Sequence, residues 1–153
     1  MLSSLLGERL LLTLWVGSLL AIGYIAVPMA FVNLGDVILA GNYAGHLFSA
    51  VNMLGIGCGT ILLITKIAIH GKQTLQLWRF WVVLLMVILT LIFNFYLQPE
   101  IAIVKDIMHL GDNSVVGRFD FLHSVSKNVY IVLSILGLAL VVSTDKPSSE
   151  IRT

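Results

Sequence analysis

The chain has 153 residues, of which 58% are hydrophobic and only 11% charged, and its mean hydropathy is +0.99. Soluble domains carry about 25% charged residues, so this composition excludes a soluble domain of useful size. The formal net charge is +1, and no basic surface suited to nucleic acid is visible. We therefore expect one integral membrane domain over residues 1–153.

Four apolar segments follow one another, and each has the roughly twenty residues that a helix needs to cross a bilayer. They cover residues 10–31, 44–69, 80–98 and 121–142. Past Pro99, apolar residues recur at near-helical spacing, which predicts that the third helix is kinked and extends to 110. A β-barrel would need strands that alternate in polarity, and none is visible. The sequence predicts an all-α, integral membrane four-helix bundle.

The connections carry turn and charge signals. Gly35-Asp36 and Gly41-Asn42 mark the turn after the first span. With four spans, one face of the membrane holds both termini and six basic residues, whereas the other holds only Lys105 and Arg118. The six are Arg9, Lys66, Lys72, Arg79, Lys146 and Arg152. Basic residues in short loops favour the cytoplasm, so both termini are predicted to be cytoplasmic.

Polar residues inside the spans collect toward the opposite, outer face. This cluster contains His46, Ser49 and Asn52 in the second span, Asn94 and Gln98 in the third, and Asp120, His123 and Lys127 in the fourth. Polar groups are costly in hydrocarbon and usually face the interior of a bundle, where they mark sites or pathways. Agreement in depth between several helices predicts an outward-facing polar cluster.

Two interpretations of this cluster remain open. It forms a site that binds or passes a small solute or ion, or holds a partner protein; or it is structural, with amides that bond across helices. A redox protein with haem held by His46 and His123 is an alternative, since bundle cores do host such ligands. An enzyme on lipid head groups with His123 as base ranks below it. Because no catalytic motif is found, we expect no enzyme, no metal and no obligatory cofactor.

Small residues in the second span have a packing meaning. Gly55 and Gly59 form a Gly-xxx-Gly pair, which lets helix backbones approach closely in lipid. The pair serves either internal packing or the seam of a homo-oligomer, and the sequence leaves both open.

Several short motifs occur in a characteristic order. They are Trp15-x-Gly17 with Pro28-x-x-Phe31, Ala44-Gly45-x-x-Phe48, Asn94-x-x-x-x-Pro99, and Arg118-Phe119 before Leu122-His123-x-x-Ser126. Over about residues 10–142 the chain resembles the transmembrane protein 205-like family, whose bacterial members carry domain of unknown function 4149. The resemblance implies a four-helix, multi-pass protein of a cell membrane, here the bacterial inner membrane, without a settled activity. Lys127 departs from the small or apolar residue expected there, so its role does not follow from the resemblance.

Overall fold

The computed structural model describes residues 2–143, in which four helical spans are joined by three short connections. The first span comprises α1 (Leu2–Ala21), a π-helical turn (Ile22–Ala26) and α2 (Val27–Asn33), and the second span is α3 (Val37–His70). The third span comprises α4 (Trp78–Ile92), a second π-helical turn (Phe93–Leu97) and α5 (Gln98–His109). The fourth span is α6 (Val116–Val142). All four are long and apolar enough to cross a membrane. The predicted all-α membrane bundle is confirmed. Lys146 and Arg152 of the charge count lie outside the described residues.

The turn between the first two spans is shorter than the sequence suggests. Gly35 has a φ of 67°, and the Asp36 carboxylate caps α3 by accepting hydrogen bonds from the backbone N–H of Ile38 at 2.7 Å and of Leu39 at 3.3 Å. Because this cap satisfies the first backbone N–H groups, α3 can begin at Val37, earlier than the sequence suggests. Gly41-Asn42 therefore lies inside α3, and the expectation of a turn there is wrong.

Each of the two π-helical turns ends two residues before a proline. Pro28 and Pro99 occupy the second positions of α2 and α5. Proline lacks an N–H, and its ring collides with the carbonyl four residues earlier in a regular α-helix. The wider π-helical turn accommodates both defects without ending the helix. Before the second turn, the Thr90 hydroxyl donates to the Met86 carbonyl at 2.7 Å, a contact that also bends helices.

Each span packs against two neighbours, so that the first and third spans both lie on the second and fourth. Trp15, Met86 and Leu133 are almost fully buried at the centre. A Cβ atom added at Gly55 would lie 2.3 Å from Trp15, and one added at Gly59 would lie 2.3 Å from a Val87 methyl group. The Gly-xxx-Gly pair is thus used for close packing inside the bundle.

The apolar exterior suits a lipid environment. Ile64 and Ile135 are each 61% exposed, and Phe95 is 62% exposed. In water such an apolar surface would promote association, whereas a bilayer solvates it.

The bundle has two ends, which the positions of its first and last helices distinguish. We call the end that holds α1's start and α6's end the terminal end, and the opposite one the distal end.

Candidate functional site: a cavity in the distal half

A half-open cavity of about 870 Å³ lies in the distal half of the bundle. Sites that take a small organic molecule measure about 300–1,000 Å³, so the cavity is large enough for one. All four spans line it. Its wall residues come from the end of the first span, the start of the second, the middle and extension of the third, and the first half of the fourth.

Both π-helical turns face this cavity. The first contributes Gly23 and Tyr24, and the second contributes Phe93 and Asn94. π-Helical turns are rare and occur frequently at functional sites, because the extra residue rotates side chains out of the regular helical pattern. The same irregularity that accommodates the prolines therefore also presents side chains to the cavity.

An aromatic cluster forms one wall, with Tyr130 at its centre. The ring of Tyr130 lies 5.1 Å from Phe48, 6.1 Å from Phe93 and 6.2 Å from Tyr24, measured between centroids. Its hydroxyl donates to the Leu19 carbonyl at 2.5 Å. Aromatic pairs at these separations add to the stabilisation from burial. This wall is therefore a packed aromatic surface.

Six of the eight residues of the predicted polar cluster line the cavity: His46, Ser49, Asn94, Gln98, His123 and Lys127. The other two do not. Asn52 is 3% exposed in the core of α3, and Asp120 is exposed on α6 outside the lining. Asp120 and His123 are only three residues apart on α6, but only His123 lines the cavity.

Two buried polar atoms of α3 and α6 make no hydrogen bond within residues 2–143. The Ser126 hydroxyl lines the cavity, whereas the Asn52 amide nitrogen lies in the core outside the lining. Buried polar groups are nearly always paired in native proteins, and an unpaired one calls for a water, an ion or a ligand. Ser126 was not among the polar residues that the sequence assigned to the site, although it stands in the motif after His123.

The cationic groups of the cavity come from α5 and α6. The Lys105 ammonium donates to the Asn42 side-chain oxygen at 2.9 Å. His123 is exposed at the rim and stacks on Phe119, with ring centroids 5.7 Å apart and planes 9° from parallel. Sequence reasoning placed Lys105 in the helical extension on the outer face and left it out of the polar cluster. The signal was present, because the helical extension predicted over 101–110 brings position 105 back toward the bundle.

Lys127 makes no hydrogen bond or ion pair with any side chain that the structure describes. Depth along the helices suggested Asp120 or Glu100 as its partner. The Glu100 carboxylate instead accepts from Arg118, and Asp120 lies outside the lining. The suggested pairing is wrong, because neither carboxylate lines the cavity and Glu100 is paired elsewhere.

The terminal end holds an ionic network that the sequence did not indicate. Glu8 lies 3.2 Å from the Lys66 ammonium and 2.9 Å from an Arg79 guanidinium nitrogen, with both cationic side chains at most 6% exposed. Arg79 also donates to the Leu140 carbonyl at 2.9 Å and to the Ser143 hydroxyl at 2.8 Å. The network ties all four spans together at the end away from the cavity. In the sequence, the network was indicated only by Glu8, an acidic residue that precedes the first apolar segment on the face where the basic residues collect.

His46 and His123 both line the cavity, which places the two residues of the haem alternative around one space. Across residues 2–143, no group of three or more His, Cys, Asp or Glu side chains is arranged to hold a metal ion. The site thus offers amides, hydroxyls, imidazoles and ammonium groups against an aromatic wall. Such a set favours binding a molecule with one polar end.

Comparison with known families identifies the chain. The family model of domain of unknown function 4149 (DUF4149) matches residues 10–109, which is more than half of the sequence, and the chain belongs to this family. No curated protein and no solved structure matches it. The matched region holds the first three spans and ends before α6, so the contributions of His123, Ser126 and Lys127 to the cavity lie beyond it.

Proposed function

We propose that this DUF4149 protein is a membrane-embedded, non-catalytic binding protein for a small organic solute, which it holds in the distal cavity. The observation that carries the proposal is the combination of a cavity of about 870 Å³ with polar side chains that lack protein partners. A structural cluster would satisfy its amides and hydroxyls within the bundle. Ser126 remains unsatisfied at the cavity wall, and a bound molecule or ordered water would supply its partner.

The orientation follows from the charge asymmetry. Six basic residues on the terminal side against two on the distal side favour cytoplasmic termini. The cavity then opens toward the outside of the cell, in a bacterial inner membrane, and the chain shares this multi-pass arrangement with transmembrane protein 205-like proteins. A solute would thus be taken from the external face or from the outer leaflet. Oligomers and partner subunits remain compatible with this function, since the cavity is formed within one chain.

The test of this proposal introduces a large side chain at a glycine of the cavity wall, where a Cβ atom causes no clash. Gly45 lines the cavity, and a Cβ added there meets only Gln98, at an ordinary 3.8 Å, so we expect the ring of Gly45→Phe to occupy part of the cavity. Gly57 on the same helix has nothing within 4 Å, which makes Gly57→Phe a matched control. Purified wild type and both variants are screened in detergent for small molecules that raise the melting temperature.

A ligand at a hundred times its Kd stabilises the folded state by about 2.7 kcal/mol. We expect compounds that shift the wild type and Gly57→Phe equally and lose their effect on Gly45→Phe. A screen in which no stabilisation depends on position 45 would refute the proposal and leave the polar cluster as structural. The unliganded variants should melt within a few degrees of one another, which separates lost binding from lost folding.

Haem binding is the second candidate, since His46 and His123 line the same cavity. It requires both imidazoles as axial ligands. Protein expressed with added haem and purified should then show a Soret band that is lost in His46→Ala and in His123→Ala. A spectrum without that band under haem-replete expression removes this candidate and leaves solute binding.

A further inference from the structure

We infer that the solute of the distal cavity is an anionic amphiphile, with an acidic head group held by Lys105 and Lys127 and an apolar portion against the aromatic wall. The inference rests on the proposed function and adds the chemical class of the ligand. It starts from the charge of the lining. Among the described residues, the wall contains these two lysines and two histidines but no carboxylate.

The acidic residues near the cavity do not neutralise it. Glu100 is engaged by Arg118. Asp106 acts on Lys105 and Asp120 acts on His123, but both carboxylates lie outside the lining. The space inside the wall is therefore bordered by ammonium groups and neutral dipoles. Fields in a low-dielectric cleft lined by one sign of charge attract the opposite charge.

Lys127 carries a charge that no described carboxylate pairs with. It lies on the membrane-spanning helix α6, lines the cavity and has no ion-pair partner among residues 2–143. Its side chain is exposed, so it is accessible to a molecule that enters the cavity, and charged groups within spans usually pair with another group. The buried Ser126 hydroxyl, which belongs to the same helix and wall, has no hydrogen-bond partner either. An acidic head group supplies a counter-charge to the first and an acceptor to the second.

The rest of the ligand must be apolar. The lining also contains several aromatic and aliphatic side chains, among them Phe31, Phe48, Phe93, Phe119 and Tyr130. A small hydrophilic anion would leave these apolar side chains in contact with water, whereas an apolar chain or ring would bury them. The cavity volume of about 870 Å³ suits a single-chain or compact molecule. A free anionic amphiphile and one chain of an anionic phospholipid share this chemistry.

The test compares two probes that differ only in charge. Wild-type protein is placed in nanodiscs of phosphatidylcholine and titrated with 11-(dansylamino)undecanoic acid or with its methyl ester. Dansyl emission sensitised by the protein's tryptophans reports the probe that is near the protein. We expect the acid to bind at least about tenfold more tightly than the ester, as a charge-assisted contact implies. Lys105→Met and Lys127→Met should each remove most of that difference and leave ester binding unchanged.

Lys72→Met is the matched control, because Lys72 is exposed at the terminal end, and it should behave as wild type. Equal affinities for acid and ester, both lost in Gly45→Phe, would overturn the anion inference while the proposed function stands. Binding of either probe that Gly45→Phe does not alter would instead count against the cavity itself. Adding phosphatidylglycerol to the nanodiscs distinguishes the sources. If phosphatidylglycerol displaces the acid from wild type but not from Lys105→Met, the natural ligand is an anionic phospholipid. If it leaves binding of the acid unchanged, the natural ligand is a free anionic amphiphile.

Discussion

The ionic network at the terminal end allows a quantitative prediction. In Glu8→Gln the side chain keeps its shape but loses the charge that lies 2.9 Å from Arg79 and 3.2 Å from Lys66. Removing one partner of a buried ion pair costs about 3–5 kcal/mol, because an uncompensated charge stays behind. Glu8 is 18% exposed and the amide still accepts one hydrogen bond, so the lower end applies. We expect a loss of about 3 kcal/mol in the free energy of unfolding.

The assay is reversible unfolding in mixed detergent, followed by circular dichroism, together with the melting temperature. For a chain of this size about 3 kcal/mol corresponds to a decrease of roughly 6–12 °C. Glu100→Gln is the matched control, because it breaks the ion pair with Arg118, which is 62% exposed. Pairs with an exposed member contribute about 0–1 kcal/mol, so this variant should melt within a few degrees of wild type.

A Glu8→Gln protein that is no less stable than Glu100→Gln would refute the reasoning. It would mean that water or other protein groups already compensate the two cations. The same measurement on Lys66→Met tests the other side of the pair. Since Glu8 still contacts Arg79 in that variant, its loss should be smaller than that of Glu8→Gln.

Three further predictions concern packing, capping and topology. Gly59→Ala should destabilise the protein by about 1–3 kcal/mol in thermal unfolding, because its Cβ would lie 2.3 Å from a neighbouring methyl group. Gly57→Ala is the control: its Cβ has no atom within 4 Å, so this variant should be neutral or more stable by up to about 1 kcal/mol. Asp36→Ala should cost about 0.5–2 kcal/mol through the lost cap of α3, measured by the same unfolding assay. Reporter fusions after Thr153 and within the 111–114 turn should have opposite sidedness, cytoplasmic and external; two fusions on one side would contradict the four-span topology.

The extent of the cavity could be predicted only in part. Six residues chosen for their depth do line it, since depth follows from position along a helix that crosses the membrane once. Lys105 and Ser126 were missed, and Asn52 and Asp120 do not line it. Their assignment depends on how far each helix is rotated about its axis. In a soluble helix the apolar stripe fixes that rotation, but these spans are apolar on every side.

The sequence by itself determined the number of spans, the membrane environment, the helical continuation beyond Pro99 and the end at which polar groups collect. Each of these is a local property of composition and spacing. The tertiary structure alone decided which groups meet: Glu8 with Lys66 and Arg79, Tyr130 with the Leu19 carbonyl, and Lys105 with Asn42. Those contacts join residues 58 to 111 positions apart. They form only when four helices have packed, because small residues and π-helical turns set the distance and rotation between neighbouring helices.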